Sequence, residues 1–377
     1  MVDRISMLPD ELLCHILSFL QTIQAVKTRL LSKRWRNIWT SVPVLDYDHQ
    51  SYYLRNNKPN SCFERFVYAT ILARDFYQPI RSFTLKYGVP DSYLSNVHVN
   101  VWVNIVFKIG IQNIDLDLYP RKNRISLDIL SSKTLVVLKL QGLNVNVSTS
   151  LELSSLKSLH LEEVKFVQPK YLIELLYGCP MLEDLKARCL DYDLKGYYSK
   201  EEFKFKSLPK LVRADLHFAG MDDTNILLKS ICNVEFLRIQ QFRFVDEVPE
   251  FPHLRHLSLH LDNRRLHWWV FLMLKNCPKL QSLKLDLNES FESEDVLPYP
   301  HLVVPECLTS HFTQCYLKYC PGTEGGLQFA KYIMQNSTSL KSMKVHCVSH
   351  NLLAKLEVQK ELALCSRKSA SCELSFV

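Results

Sequence analysis

The chain has 377 residues, long enough for two or three domains or for one small domain beside a solenoid. With 47% hydrophobic and 23% charged residues it has the composition of a folded protein and no signature of disorder. Nine glycines leave little material for glycine-rich phosphate loops, no Walker-type or Rossmann-type run occurs, and a formal charge of +7 permits an acidic partner without requiring one.

Asp3, Arg4 and Asp10 interrupt the start before an apolar run develops, so no signal segment is expected. No span of about 18 apolar residues occurs, so no membrane-spanning helix is expected either. Between Met7 and Val42 three short helices fit. Leu8, Leu12, Leu13, Ile16, Leu17 and Leu20 recur at three- and four-residue spacing and share one helical face. Pro9 suits the first helical position, and Asp10 and Glu11 complement the positive end of the helix dipole. A second helix is expected from Thr22, with Ala25, Val26, Leu30 and Leu31 apolar. Ser32 is placed to cap a third, whose Trp35, Ile38, Trp39 and Val42 form one stripe. A unit this small buries too little surface to stand alone and should dock on a partner or on the following domain.

The run LPDELLCHILSFL, then LSKRWRNIW, then Val44-Leu45-Asp46-Tyr47-Asp48 together resemble an F-box of the plant family whose chains continue into leucine-rich repeats and a C-terminal FBD domain. Gln21 stands where such sequences usually carry proline. The resemblance implies that the helical unit binds a Skp-type adaptor, and through it the cullin and RING subunits of a ubiquitin ligase. Leu8, Pro9, Leu12, Ile16 and Leu17 match the family's LP-x-E-L-x-x-x-I-L pattern and are the implied adaptor contacts, some of them also packing the small core. Trp35 and Trp39 are expected inside, and Lys33, Arg34 and Arg36 on a solvated face.

Residues 50–59, QSYYLRNNKP, are polar and irregular and are expected to form a linker. Phe63, Phe66, Val67, Thr70, Ile71 and Arg74 then fit one amphipathic helix that joins the F-box rigidly to the domain after it. Beyond that helix one pattern recurs: apolar, two variable, apolar, one variable, apolar. Its copies are Ile80-Phe83-Leu85, Ile111-Ile114-Leu116, Leu135-Leu138-Leu140, Leu156-Leu159-Leu161, Leu182-Leu185-Ala187, Leu211-Ala214-Leu216, Val234-Leu237-Ile239, Leu254-Leu257-Leu259 and Leu280-Leu283-Leu285. Intervals of about 20 to 31 residues suit leucine-rich repeats, each copy supplying one strand of a curved parallel sheet. Helices are expected around Tyr171 to Leu176, Ile226 to Ile231 and Trp269 to Met273, each followed by a cysteine (Cys179, Cys232, Cys277) filling the turn before the next strand. The shortest intervals, after the copies at Leu135 and Val234, leave room only for a loop.

A repeat cannot bury its apolar face alone, so the ends must be capped. After Pro298-Tyr299-Pro300 the composition changes. The tail resembles an FBD domain in Val304-Pro305-Glu306-Cys307-Leu308, Gly322-Thr323-Glu324, Phe329-Ala330-Lys331-Tyr332 and Arg367, with Ser366 in place of the usual proline. Two repeat-like strands fit within it, Phe312-Cys315-Leu317 and Leu340-Met343-Val345, with a helix from Leu327 to Met334 and a final strand at Cys372 to Phe376. The fold expected is therefore α/β: a three-helix F-box in residues 1–48, a linker and connecting helix in 49–79, a leucine-rich-repeat solenoid in 80–300 with helices and loops outside its curved sheet, and a capping α/β FBD domain in 301–377.

In such strands the residue between the last two apolar positions points away from the core. That row contains Thr84, Asp115, Lys139, His160, Lys186, Asp215, Arg238, Ser258, Lys284, Tyr316 and Lys344. It is mildly basic and would favour an acidic or phosphorylated segment of a target, with Lys139, His160, Lys186, Arg238 and Lys284 as candidate contacts; ordinary exposed sheet residues are the competing interpretation. Trp268 and Trp269, after Arg264 and Arg265, are expected to divide between surface and core. His346, Cys347 and His350, with Cys307 and His311, lack the paired frame of a zinc site, so no metal or cofactor is expected. The twelve cysteines are expected as reduced, buried thiols. No nucleophile signature occurs, so the chain is expected to be a non-catalytic target receptor of a Skp-cullin-F-box ligase, cytoplasmic and/or nuclear. The rival interpretation is a repeat scaffold without a ligase role, binding an acidic protein or nucleic acid.

Overall fold

The computed structural model describes residues 4–56, 60–75, 77–88, 96–119, 124–126, 132–146, 152–166, 170–192, 207–217, 224–240, 247–261, 266–287, 303–319, 324–348 and 351–377. The chain divides into two compact units, Met1–Leu182 with Cys189–Tyr198, and Glu183–Arg188 with Ser199–Val377. Pro298-Tyr299-Pro300, Gly322, Thr323, Arg264, Arg265 and His350 lie outside the described residues, as does the side chain of Trp268.

The first unit opens with three helices, α1 (Asp10–Leu17), α2 (Thr22–Lys27) and α3 (Trp35–Ile38). Tight 3-10 turns extend the second and third, at Thr28–Leu30 and Trp39–Ser41. Leu13, Leu17, Ala25, Trp35, Ile38, Trp39 and Val42 form their common core, with Leu8, Leu20 and Val44 packed against it. Pro9 sits one residue before α1, as its cap. Ser32 does not cap α3; Arg34 holds that position without a side-chain bond to the helix. Instead Arg34 reaches back to the carbonyls of Ser6 and Leu8 and to Asp10 Oδ1, the last at 2.7 Å, and so clamps the segment leading into α1. Gln21, in the place of the usual proline, has φ −56, the value a proline ring would impose, and its carbonyl accepts from the N–H groups of Gln24 and Ala25.

The expected linker is in part helical: His49–Asn56 is one helix and Asn60–Leu72 a second. The polar composition conceals His49, which is buried with its ring 5.0 Å from Phe63 and 4.5 Å from Tyr87. Arg74 is also buried and donates to the Val42 carbonyl, while Tyr47 and Thr70 hydroxyls lie 2.8 Å apart. These bonds join the three-helix start to the Asn60–Leu72 helix without a flexible joint.

Five parallel strands succeed one another in the main sheet of this unit: Val44–Asp48, Ser82–Gly88, Asn113–Tyr119, Val137–Gln141 and Ser158–Glu162. The first of them is not among the repeat copies that the pattern identifies. Two further features lie beyond that pattern. One is the helix Asn96–Lys108, whose Val99, Trp102, Val103 and Val106 are buried at helical spacing. The other is a second parallel sheet of short strands, Arg124–Ser126, Asn144–Asn146, Lys165–Phe166 and Asp191–Tyr192. The corners leading into the last three are left-handed, at Gly142 (φ 69), Glu163 (φ 54) and Cys189 (φ 49).

The second unit has eight parallel strands, each paired with the next: Asp184–Arg188, Arg213–His217, Phe236–Gln240, His256–Leu261, Ser282–Leu287, Gln314–Tyr319, Ser342–Cys347 and Glu373–Phe376. Helices Leu266–Lys275 and Glu324–Asn336 are placed as their apolar spacing requires, and Trp269 is buried. The tail strands continue the register of the repeats directly. Ser369 Oγ donates to the Leu340 carbonyl at 2.7 Å and Arg367 to the Cys372 carbonyl at 2.8 Å, which fixes the approach to the last strand. Burial pushes the Cys179, Cys307 and Cys315 thiols up to about 12, so they stay neutral and pack as small hydrophobes. Cys14, Cys62, Cys189, Cys232 and Cys365, expected to be buried, are only partly so.

Gly142 has a positive φ, and a Cβ there would meet the Leu118 carbonyl oxygen at 2.4 Å, whereas one at Gly110 (φ +85) would meet nothing within 4 Å. Gly142→Ala should therefore cost about 1–3 kcal/mol, and more than Gly110→Ala. Equal urea midpoints for the two variants would show that the close approach is not what selects glycine.

Candidate functional site

The adaptor contacts implied by the F-box resemblance fall into two sets on α1. Leu17 is 2% exposed and belongs to the helical core together with Leu13, so its side chain is not available to a partner. Leu8 is half-buried against the same core, and Pro9 is exposed. Leu12 and Ile16, one helical turn apart, are 49% and 43% exposed. Phe19, in the turn just past the end of α1, adds a further apolar side chain at 77% exposure. Leu30 and Leu31, the apolar residues that end the second helical pattern, are exposed on the turn after α2. The inward-facing helix pattern passes over Phe19; its spacing from Leu12 is the signal that could have found it. The surface near Leu30 holds an open depression of about 680 Å³, lined in part by Arg29, Lys33 and Arg36.

The candidate target-binding row is in register strand by strand. In the first unit Thr84 pairs with Asp115, Asp115 with Lys139 and Lys139 with His160. In the second, Lys186, Asp215, Arg238, Ser258, Lys284, Tyr316 and Lys344 pair successively. Lys139 and His160 thus stand in one unit and Lys186, Arg238 and Lys284 in the other.

The open faces of the two units differ in charge, which corrects the expectation of one mildly basic face. On the first, Asp46, Asp48, Asp115, Asp117 and Glu162 stand with Lys86 and Lys139. On the second, Lys186, Arg188, Arg213, Arg238, Lys284, Lys318 and Lys344 stand with Asp184, Asp215, Asp286 and Glu373. A reading confined to one position per strand passes over the flanking positions, two residues away on the same face, where Asp48, Asp117 and Glu162 lie. Burial raises the pKa of Asp117 above its ordinary 3.8, and Asp115, Glu162 and Glu163 push it further against the opposing pull of Lys86. Asp46 is raised in the same way.

Within the second face, Arg188 holds Asp215 through two N–H groups. Asp286 lies 3.1 Å from Lys318 Nζ and 3.3 Å from His260 Nδ1. Arg213 lies over the Phe236 ring at 5.0 Å, and that ring stacks on His256 at 4.6 Å. Among the described residues no group of three or more His, Cys, Asp or Glu is arranged to hold a metal ion, and no helix is long and apolar enough to cross a membrane.

The F-box family model matches residues 5–47 and the FBD family model residues 300–345. The helical start is therefore an F-box domain, and the segment that carries the repeat register onward is an FBD domain. An F-box/FBD/LRR-repeat protein of Arabidopsis thaliana is 29% identical, the alignment covering 100% of both chains. An FBD-associated F-box protein of the same plant is 29% identical with 100% of both covered, and another is 27% identical over 99% of this chain and 97% of its own. The chain's full-length homologues are thus F-box/FBD/LRR-repeat proteins.

This geometry generates two expected outcomes. Leu17→Ala should lower stability by about 2–5 kcal/mol, as for a buried leucine, and Ile16→Ala by no more than about 0.5 kcal/mol. Similar losses in denaturant unfolding would contradict the division of α1 into two faces. Asp117 binds its proton more readily in the folded chain than in the unfolded one, so its carboxylate lowers stability above the raised pKa, and the deficit disappears as pH falls toward 3.8. Asp117→Asn should raise the thermal midpoint at neutral pH and lose that advantage near pH 3.8. A variant less stable than the parent at about pH 7 would refute this account.

Proposed function

We propose that this protein is the non-catalytic target-recognition subunit of a Skp-cullin-F-box ubiquitin ligase. Its F-box captures a Skp-type adaptor, the adaptor brings the cullin and RING subunits, and the repeat faces hold a target protein. The observation that carries the proposal is the apolar row Leu12 and Ile16, with Phe19 just past the helix end, left in solvent on a domain whose core is already complete without it. An exposed helical row of this kind suits a partner's hydrophobic groove. Pro9 and Leu8 flank the row at the start of the helix, whereas Leu17 supports it from inside. The work done is tethering: holding the target near a ubiquitin-charged enzyme raises their effective concentration with no bond made or broken by this chain. Such a subunit needs no cofactor and acts in the cytoplasm, the nucleus or both.

The basic open face of the second unit favours one other reading, a scaffold for an acidic protein or nucleic acid with no ligase role. The two separate in one experiment. The full chain is co-purified with a Skp-type adaptor and a cullin beside Leu12→Asp/Ile16→Asp, with circular dichroism as the check on folding. Capture should fall by at least about thirtyfold in the folded variant, the effect of losing one hot-spot side chain. Capture unchanged by the double substitution would sink the assignment of this row. No capture by either chain, together with strongly salt-dependent oligonucleotide binding, would favour the scaffold.

A further inference from the structure

We infer that the depression on the open face of the second unit is a recognition site for a phosphoserine or phosphothreonine side chain of the target protein. This rests on the target-receptor reading and adds the chemistry by which the target is chosen. The depression has a volume of about 370 Å³ and is lined by the short hydroxyl side chains of Ser258 and Ser282, by Arg213, Arg238 and Lys284, and by the carboxylates of Asp184 and Asp215. Arg238, Ser258 and Lys284 occupy one row on successive strands. Strands lie about 4.8 Å apart, so the two basic residues are separated by about 10 Å across the serine, within joint reach of one tetrahedral group.

Arg213 closes another side. Its guanidinium is positioned by the Phe236 ring, itself stacked on His256 with 10° between planes. Lys284 lies 5.3 Å from the Tyr316 ring centroid. Neither Arg213 nor Lys284 pairs with a carboxylate among the described residues, while Asp215 is held by Arg188 and Asp286 by Lys318 and His260. The site therefore offers three cationic heads and two neutral hydroxyl donors against two carboxylates, one of which, Asp215, is already engaged by Arg188. A phosphomonoester, with three acceptor oxygens and a charge near −2, can engage several of them at once; a single carboxylate has two oxygens and one charge. A nucleic-acid strand is the poorer fit, because beyond the depression Asp286 and Glu373 interrupt the basic face along which its successive phosphates would run.

The test titrates the full chain with fluorescent peptide libraries, degenerate around a central phosphoserine or phosphothreonine, against the same libraries unphosphorylated and against a single-stranded oligonucleotide. The phosphorylated libraries should bind at least about tenfold more tightly, the increment of one charge-assisted contact. Arg213→Gln and Lys284→Gln should each remove about that factor, while Lys344→Gln, on the same face outside the depression, should leave affinity unchanged. Equal binding with and without phosphate overturns the inference and needs no variant to read. So does an equal loss in Lys344→Gln, or an oligonucleotide that binds as tightly and depends on the same residues. Adaptor capture is measured on the same preparations: phosphopeptide binding without capture would overturn the ligase reading and leave the recognition site standing, and capture without phosphopeptide preference would do the reverse.

Discussion

One backbone interaction recurs from repeat to repeat and sets the rest of the structure. A single carbonyl just before most strands accepts the N–H groups of two successive residues at the entry to the next, and at the last strand the Lys341 carbonyl accepts from Glu373. In the first unit these carbonyls belong to Pro43, Arg81, Gln112 and Val136. In the second they belong to Glu183, Val212, Glu235, Arg255, Gln281 and Thr313. Buried backbone groups must be paired, and this shared acceptor pairs two donors where each chain segment turns into the sheet. It also locks the register. A slip of one residue would send every inward leucine to the open face, so a fixed entry point is what lets leucines stack on leucines from strand to strand.

The FBD domain is the clearest consequence of that repeat. Its strands take the next places in the same ladder, with the Thr313 carbonyl playing the part that Gln281 plays one repeat earlier. Within the first unit, the F-box is joined to the repeat strands by a related device. The Pro43 carbonyl at its end receives the N–H groups of Arg81 and Ser82, and buried Arg74 reaches the neighbouring Val42 carbonyl. Such a connection would serve the proposed receptor role, because freedom at the joint would dilute the effective concentration that tethering provides.

The surfaces with functional promise are those the fold does not use. Leu12, Ile16 and Phe19 could be polar without loss to the core. Arg213, Arg238 and Lys284 occupy positions where any soluble residue would support the strand. Their placement beside short Ser258 and Ser282 produces a depression only because strands distant in sequence are brought side by side.

Much of the architecture was legible in the sequence because it depends on short-range periodicity. Alternation at two residues located the strands and the open-face row, and spacing of three and four located α1 and the helices after Tyr171 and Trp269. The three-helix start and the FBD segment were legible from local motifs as well. Other features were decided elsewhere. Whether Leu17 or Ile16 faces a partner depends on where Trp35 and Ile38 pack, and helical spacing alone puts both leucine and isoleucine on an apolar side. His49, which composition assigns to a linker, and Arg74, a charged member of the expected amphipathic helix, are buried because Phe63, Tyr87 and Val42 surround or bind them. The charge of each open face is likewise a tertiary property, since Asp46, Lys86 and Asp117, or Arg213, Phe236 and His256, become neighbours only across strands. Local pattern determined which residues turn inward; long-range pairing decided which outward residues meet, because a side chain's periodicity specifies its direction but not what stands beside it.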